Sequence, residues 1–433
     1  MQNQALQNKQ VAVMGLGLSG QSCLRFLLAR GAKVIAMDSR TQLSAQVPEG
    51  VSVMLGDFDA NVLKSVDLIL LSPGLPLSHP AIGEAQAAGV EVIGDIELFA
   101  RFNQKPLLGI TGSNGKSTVT TLTTAMLQSA GLKAVMGGNI GTPALDLLES
   151  DYDVAVLELS SFQLETTHNL PLEGATVLNL SADHMDRYDS LEAYRQAKLR
   201  IYQHAKTRIA NRDDELTQDG SETQTFGLSA CEKGFGFDAP SGRLTLDGKP
   251  LLDFAQCKLM GRHNLLNIQA SLALAMCVTD NLSALVETAY HFTGLAHRCE
   301  LVREHKGVRW INDSKGTNIG ATLAAIEGLR AQVKGKLILI AGGDGKGADF
   351  DQLLPGLVQV DELVCLGRDG SKIAALKSAS HMVDNMQAAV DKCAALAKPG
   401  DLVLLSPACA SLDMFDNYQH RGQVFAAAVE GLL

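Results

Sequence analysis

The sequence predicts an α/β protein of three domains, each built on a mainly parallel sheet, and three observations carry that expectation. The chain has 433 residues, too many for one compact core. Short apolar runs alternate with helix-period segments along most of it, the rhythm of strands flanked by helices. Glycine is abundant at 41 residues while aromatics make up 5%, which suits sheets with many tight strand-to-helix turns.

Residues 11–14 read as a strand and 20–30 as a helix, with buried strands at 34–37 and 67–71. Residues 1–94 are therefore expected to form a Rossmann-like parallel sheet. Residues 94–106 interrupt the rhythm and are expected to be the first inter-domain connection. A second unit, 95–297, has strands at 107–110, 134–136, 154–157 and 175–178 and a helix over 116–129. This unit reads as a P-loop α/β domain. Between 213 and 257 the pattern turns to short segments such as 233–237 and 244–246, expected as antiparallel strands added to it. Helices at 264–277 and 283–290 close the unit. The third unit, 298–433, alternates strands at 336–341, 362–366 and 402–405 with helices and is expected to be a second Rossmann-like domain.

Hydrophobic residues at 46% and charged residues at 19% describe a globular chain. The net charge of −10 argues against general nucleic-acid binding, which needs a basic surface. Eight cysteines are scattered with no C-x-x-C pair, so a zinc or redox centre is not expected. The polar first ten residues carry no signal-peptide core, and no run of about 18 apolar residues exists, so the expected address is the cytoplasm without a membrane span.

The strongest motif is Gly109-Ile110-Thr111-Gly112-Ser113-Asn114-Gly115-Lys116-Ser117-Thr118, between a strand and a helix. Glycines there let backbone N–H groups close around phosphate oxygens, Lys116 reaches the outer phosphates, and Ser117 binds magnesium. Ile110 stands where the strict P-loop formula has glycine. Glu158 ends an apolar strand and is a candidate metal ligand beside such a loop. His184, in Asp183-His184-Met185-Asp186-Arg187, reads equally as a divalent-ion ligand or a surface histidine. Lys198 on a helix around 191–202 reads by itself as a solvated lysine. Gly15-Leu16-Gly17-Leu18-Ser19-Gly20 follows a strand and Asp38 ends the next, a pattern that suits a nucleotide diphosphate or a nicotinamide dinucleotide. Polar clusters at 310–318 and 406–413 follow apolar strands, where open sheets place ligands, although ordinary turns use the same residues. Arg298 reads as an exposed cation able to clamp phosphate.

Together these motifs resemble the Mur ligases, nearly end to end from Gly15 to Tyr418, and within them the branch that adds D-glutamate. Gly109–Thr118 is similar to that family's form of the P-loop, and Asn312-Asp313-Ser314-Lys315 and 406–412 are similar to the branch; Gly316 departs from its usual Ala. The resemblance implies an ATP-dependent ligase that activates a carboxylate as an acyl phosphate. It implies UDP-N-acetylmuramoyl-L-alanine and D-glutamate as substrates, two magnesium ions, and a monomer. For the UDP-substrate it implies Leu18, Ser19, Asp38, Ser39, Arg40, Ser72, Pro73, Gly74 and Asn139. For ATP it implies Gly112, Ser113, Asn114, Gly115, Lys116, Ser117, Thr118, Asn264, Asn267, Arg298 and Asp313, with Lys315 near the transferred phosphate. For D-glutamate it implies Thr317, Lys346, Ser411, Leu412 and Tyr418. Ser117 and Glu158 are implied to hold one metal and His184 a second, with Lys198 as a carbamylated lysine. A catalytic group of Lys116, His184, Lys198, Lys315 and Arg298 follows. The alternatives are a sibling amino-acid or folylpolyglutamate ligase and, on Gly15–Gly20 alone, a nicotinamide-dependent dehydrogenase.

Overall fold

The computed structural model describes residues 6–43, 47–259, 261–330 and 333–432. The described residues form an α/β chain with three large sheets and one small one. In the first sheet β1 (Gln10–Met14) lies between β2 (Lys33–Asp38) and β4 (Leu68–Leu71), with β3 (Ser52–Leu55) and β5 (Glu91–Ile93) at the edges, all parallel. Every residue of β4 is buried, as befits a strand covered by helices on both faces. The chain runs outward from β1 to β3 and then crosses back to β4, so a crevice opens at the ends of β1 and β4. Gly15 sits there with φ +87°, and a Cβ on it would stand 2.7 Å from Ser72 Cβ. Only glycine lets these two turns pass so closely.

The second sheet is also wholly parallel. Its β6 (Leu107–Thr111) lies between β8 (Val154–Glu158) and β9 (Leu172–Val177), with β7 (Ala134–Gly138) beyond β8 and β10 (Ala205–Asn211) and β11 (Gln224–Phe226) beyond β9. The Lys116–Ser129 helix that follows β6 packs against the Arg262–Ala275 helix. The expected added strands form their own antiparallel sheet, β12 (Phe235–Asp238), β13 (Arg243–Leu246) and β14 (Lys249–Asp253). Their buried Phe235, Leu244 and Leu252 join the core around the Lys116–Ser129 helix.

Residues 94–106 are more than a connection. Asp95–Phe102 is a helix that buries Ile96, Leu98 and Phe99. The Glu97 carboxylate accepts the backbone N–H groups of His168 and Asn169, each at 2.8 Å. Eight residues are too few for a helical period to stand out between a strand and Pro106.

The third sheet is mixed. Strands β15 (Glu300–His305) and β16 (Val308–Asn312) make an antiparallel hairpin, turned by Lys306 (φ 51°) and Gly307 (φ 74°). With β17 (Leu337–Ala341), β18 (Glu362–Cys365), β19 (Ser380–Met382) and β20 (Leu402–Leu405) the order is β15-β16-β20-β17-β18-β19, parallel from β16 on. The ends of β16, β20 and β17 lie side by side, and the turns after β16 and β17 reach the loop after β6 and the segment after β9. No helix among the described residues is long and apolar enough to cross a membrane.

Candidate active site

Strand β6 delivers the chain into the glycine-rich loop. Gly112 (φ +144°) and Gly115 (φ +87°) take conformations that L side chains rarely adopt, and a Cβ on Gly115 would lie 2.6 Å from Asn267 Oδ1. Asn179, just after β9, pins the loop: its Oδ1 accepts Asn114 N–H at 2.9 Å and its Nδ2 donates to Asn114 O at 3.0 Å. Lys116 Nζ folds back to donate to Gly112 O (2.7 Å) and Ser113 O (2.9 Å), and burial pulls its pKa down. The loop is thus held in shape by contacts within the chain.

Two cavities of about 290 and about 310 Å³ flank the loop, between the central and C-terminal units. Asn114, Gly115, Arg298 and Lys315 line both. The first also takes in Thr118, Asn264, Asn267, Asp313 and the apolar Leu180 and Phe226, a mixture that suits a heterocycle and a sugar. The second gathers Lys116, Ser117, Glu158, His184, Lys198 and Lys346.

Within the second cavity, Glu158 is 3% exposed. Its Oε1 accepts Asn139 Nδ2 at 2.8 Å, while its Oε2 is buried without a partner. An orphaned carboxylate oxygen beside a serine hydroxyl is the donor chemistry a magnesium ion takes, so the residues present fit that ion. His184 has φ +57°, stands edge-on to Phe162 at 5.0 Å between ring centroids, and burial lowers its pKa, which favours the neutral, ligating imidazole.

Lys198 corrects the reading of a solvated lysine. It is 2% exposed, because the Leu191–Leu199 helix turns this side chain toward the loop after β6. Its Nζ donates to Gly112 O at 3.0 Å and Thr111 Oγ1 at 3.4 Å and lies 4.6 Å from the Tyr194 ring centroid. Burial first, and then the neighbouring Lys116, drive its pKa well below the ordinary lysine value.

The C-terminal unit is seated on the central one through polar contacts. Arg298 Nη2 donates to Ser117 Oγ at 2.6 Å, and Lys346 Nζ donates to Asp183 Oδ1 at 2.6 Å. Arg298 is part-buried rather than exposed. Asp183 is held down to about 2: burial opposes ionisation, but Lys346, His184 and Asn318 outweigh it. Burial pushes Asp313 up to about 6 despite the Ser406 hydroxyl donating at 2.7 Å, and burial with Arg298 pulls Lys315 down to about 8. A Cβ on Gly316 would press on this Asp313–Ser406 pair, at 2.8 and 2.6 Å.

The residues implied for D-glutamate divide. Thr317 and Lys346 line the second cavity, and the Tyr418 ring lies 4.2 Å from Lys315 Nζ. Ser411 is buried and Leu412 is 72% exposed, and neither lines either cavity. Of the residues implied for the UDP-substrate, Asn139 lines the second cavity and the others gather at the β1–β4 crevice. Leu18 is 81% exposed there. Asp38 is committed within the chain: it accepts Leu16 N–H at 2.7 Å and pairs with the Arg40 guanidinium at 2.8 Å, which holds its pKa far below the usual range. Ser39 and Arg40 are exposed, and Ser72, Pro73 and Gly74 follow β4.

Three residues of this region escape sequence reasoning. Asn179 follows a strand end, and the rule that placed ligands at strand ends could have found it. Ser406 opens the 406–413 cluster that the sequence placed at a strand end and in the branch motif, but no individual role was assigned to it. Arg421 is 2% exposed, and its guanidinium donates to Ser314 Oγ and O and to Cys409 O and Ala410 O at 2.8–3.2 Å, joining the turns after β16 and β20. Nothing in its own helix announces that.

Three family models cover the chain: Mur ligase MurD-like N-terminal domain over 9–94, Mur ligase middle domain over 110–275, and Mur ligase glutamate ligase domain over 297–409. The chain is 48% identical over 431 residues to the UDP-N-acetylmuramoylalanine–D-glutamate ligase of Shewanella oneidensis, covering 97% of this chain and 98% of that one. It is 46% identical over 430 residues to the ligase of the same name from Haemophilus influenzae, at 97% and 98% coverage. Among solved structures it resembles the UDP-N-acetylmuramate-alanine ligase of Thermotoga maritima, with a TM-score of 0.62 at 18% identity over 98% of this chain and 99% of that one. A pseudomurein peptide ligase type C from Methanothermus fervidus matches with a TM-score of 0.58 at 18% identity, over 92% and 96%. With all three units matched in order and nearly half the residues shared with full-length relatives, the chain belongs to the Mur ligase family.

Proposed function

We propose that this enzyme joins D-glutamate to UDP-N-acetylmuramoyl-L-alanine at the expense of ATP, in cytoplasmic peptidoglycan synthesis. The observation that carries the reading is the second cavity, which Lys116, Lys198, Lys315, Lys346 and Arg298 line together with Glu158, whose Oε2 has no partner. Relatives named for this reaction, matched along the whole chain, select D-glutamate. In this reading residues 1–94 hold the UDP-sugar at the β1–β4 crevice, 95–297 hold ATP, and 298–433 bring D-glutamate, within one monomer.

A free carboxylate is a poor acyl donor because its oxygen leaves badly. The alanyl carboxylate oxygen therefore attacks the γ-phosphorus of ATP, breaking its bond to the ADP oxygen and giving an acyl phosphate. The D-glutamate amine then attacks the acyl carbon, loses a proton, and phosphate leaves. Lys116 and Arg298 offset the charge on the phosphates, Lys315 follows the transferred group, and Lys346 with Thr317 orients the incoming amino acid. One charge pair at 4 Å is worth about 4 kcal/mol at an effective dielectric of about 20. Two magnesium ions, one that Ser117 and Glu158 would hold and one that His184 with a carbamylated Lys198 would hold, would supply the remaining positive charge. Burial and the neighbouring Lys116 disfavour the ammonium form of Lys198, which favours the free amine whose Nζ adds to the carbon of CO2 and releases a proton to leave a carboxylate-like group.

The test is phosphate release from ATP with UDP-N-acetylmuramoyl-L-alanine and a panel of amino acids. Release should require D-glutamate. Equal turnover with L-glutamate, L-alanine or meso-diaminopimelate would reassign the enzyme to a sibling reaction, and NADH binding without ATP binding would reassign its class.

A further inference from the structure

We infer that Asn318 is a positioning residue that couples the nucleotide loop to the seating of the C-terminal unit and so decides where Lys346 lies. This deepens the function proposed above and rests on it.

Asn318 is the residue before the Ile319–Arg330 helix and is 7% exposed. Its Oδ1 accepts the Ala321 N–H at 2.9 Å, an N-cap contact. That bond fixes which end of the amide is oxygen, so the other end must be the donor pair. Both donors cross to the central unit. One Nδ2–H meets Asn114 Oδ1 at 3.2 Å and the other meets Asp183 Oδ2 at 3.1 Å. Each partner is itself tied to a working part of the site. Asn114 belongs to the P-loop and is held by Asn179, while the other oxygen of Asp183 receives Lys346 Nζ at 2.6 Å. One amide thus reads the shape of the phosphate loop and, through Asp183, the lysine implied for D-glutamate.

The next residues make the seam sensitive to size. A Cβ on Gly320 would stand 2.7 Å from Ser181 Oγ and 3.4 Å from Asn114 Nδ2. Ser181 Oγ is buried without a hydrogen-bond partner, so this face of the central unit closes around the helix start.

The cap and the coupling can be separated chemically. Ser and Asp cap helices about as well as Asn. Asn318→Ser keeps the cap and is too short to reach Asn114 or Asp183. Asn318→Asp keeps the cap and sets acceptors against the Asp183 carboxylate and Asn114 Oδ1. Asn318→Ser should melt near the parent temperature and keep the parent KM for ATP, while Asn318→Asp, which sets a buried charge beside Asp183, should melt lower. The KM for D-glutamate should rise roughly tenfold or more and kcat should fall, with Asp worse than Ser. A purely structural cap does not produce that order. Gly320→Ala, which raises helix propensity, should also melt no lower than the parent, yet raise the KM for D-glutamate in the same direction as the Asn318 variants. D-glutamate KM within twofold of the parent in both Asn318 variants, or in Gly320→Ala, overturns the inference. A parent enzyme that binds no ATP instead overturns the underlying function.

Discussion

Arg298 Nη2 lies 2.6 Å from Ser117 Oγ, a contact between the first turn of the P-loop helix and the start of the C-terminal unit. It puts a guanidinium beside the helix start where the proposed function sets the outer phosphates, and the serine keeps a second lone pair for a metal. Removing such a donor costs about two to three orders of magnitude in kcat. Arg298→Ala should show that loss, and Arg298→Lys should recover only part of it because a single ammonium cannot match the guanidinium fork. Steady-state kinetics with ATP varied checks both.

Glu158 gives a second prediction. Glu158→Gln preserves shape and can keep a contact with Asn139, but it removes the charge at the orphaned Oε2. The magnesium concentration for half-maximal turnover should rise by roughly tenfold or more. The melting temperature without metal should stay level or rise, because an unpaired buried charge has gone. An unchanged magnesium dependence would remove Glu158 from the metal site.

Lys198 should be carried as a carbamate in the active enzyme. Native mass measurement of protein kept near neutral pH should find one CO2 added, lost on acidification and absent from Lys198→Ala. That variant should lose at least about a hundredfold in kcat while folding normally, since what it removes is a metal-binding anion. Its burial shifts the group toward the free amine, which is the form that reacts.

His263 sets a pH dependence of stability away from the metal residues. Burial lowers its pKa from 6.5 to about 4, and its Nδ1 has no partner. The unfolded chain therefore binds this proton at a higher pH than the folded one. The stabilising difference is fully present above pH 6.5 and is lost as pH falls toward 4. Melting curves should show that decline, and His263→Gln should flatten it.

Much of this was legible in the chain. The run from Gly109 to Thr118 fixes strand, loop and helix by local chemistry alone, and the structure places Lys116 and Ser117 at that helix start. The helix at Asp95–Phe102 was hidden because its eight residues are too few for the helical period to show. Lys198 illustrates the stronger limit. A lysine on a polar helix looks solvated until the sheet order brings Gly112 against it.

The sequence by itself determined the α/β class, the phosphate loop, the glycine crevice after β1 and, through its motifs, the family. Those depend on residues near one another along the chain, where sterics and hydrogen bonding act directly. Tertiary structure alone decided that Asp183 pairs with Lys346 across 163 positions and with Asn318 across 135. It also decided that Arg421 knits two turns together and that Glu158 keeps one oxygen without a partner. Such contacts follow from strand order and from how two separately folded units dock, and a local pattern carries no record of either.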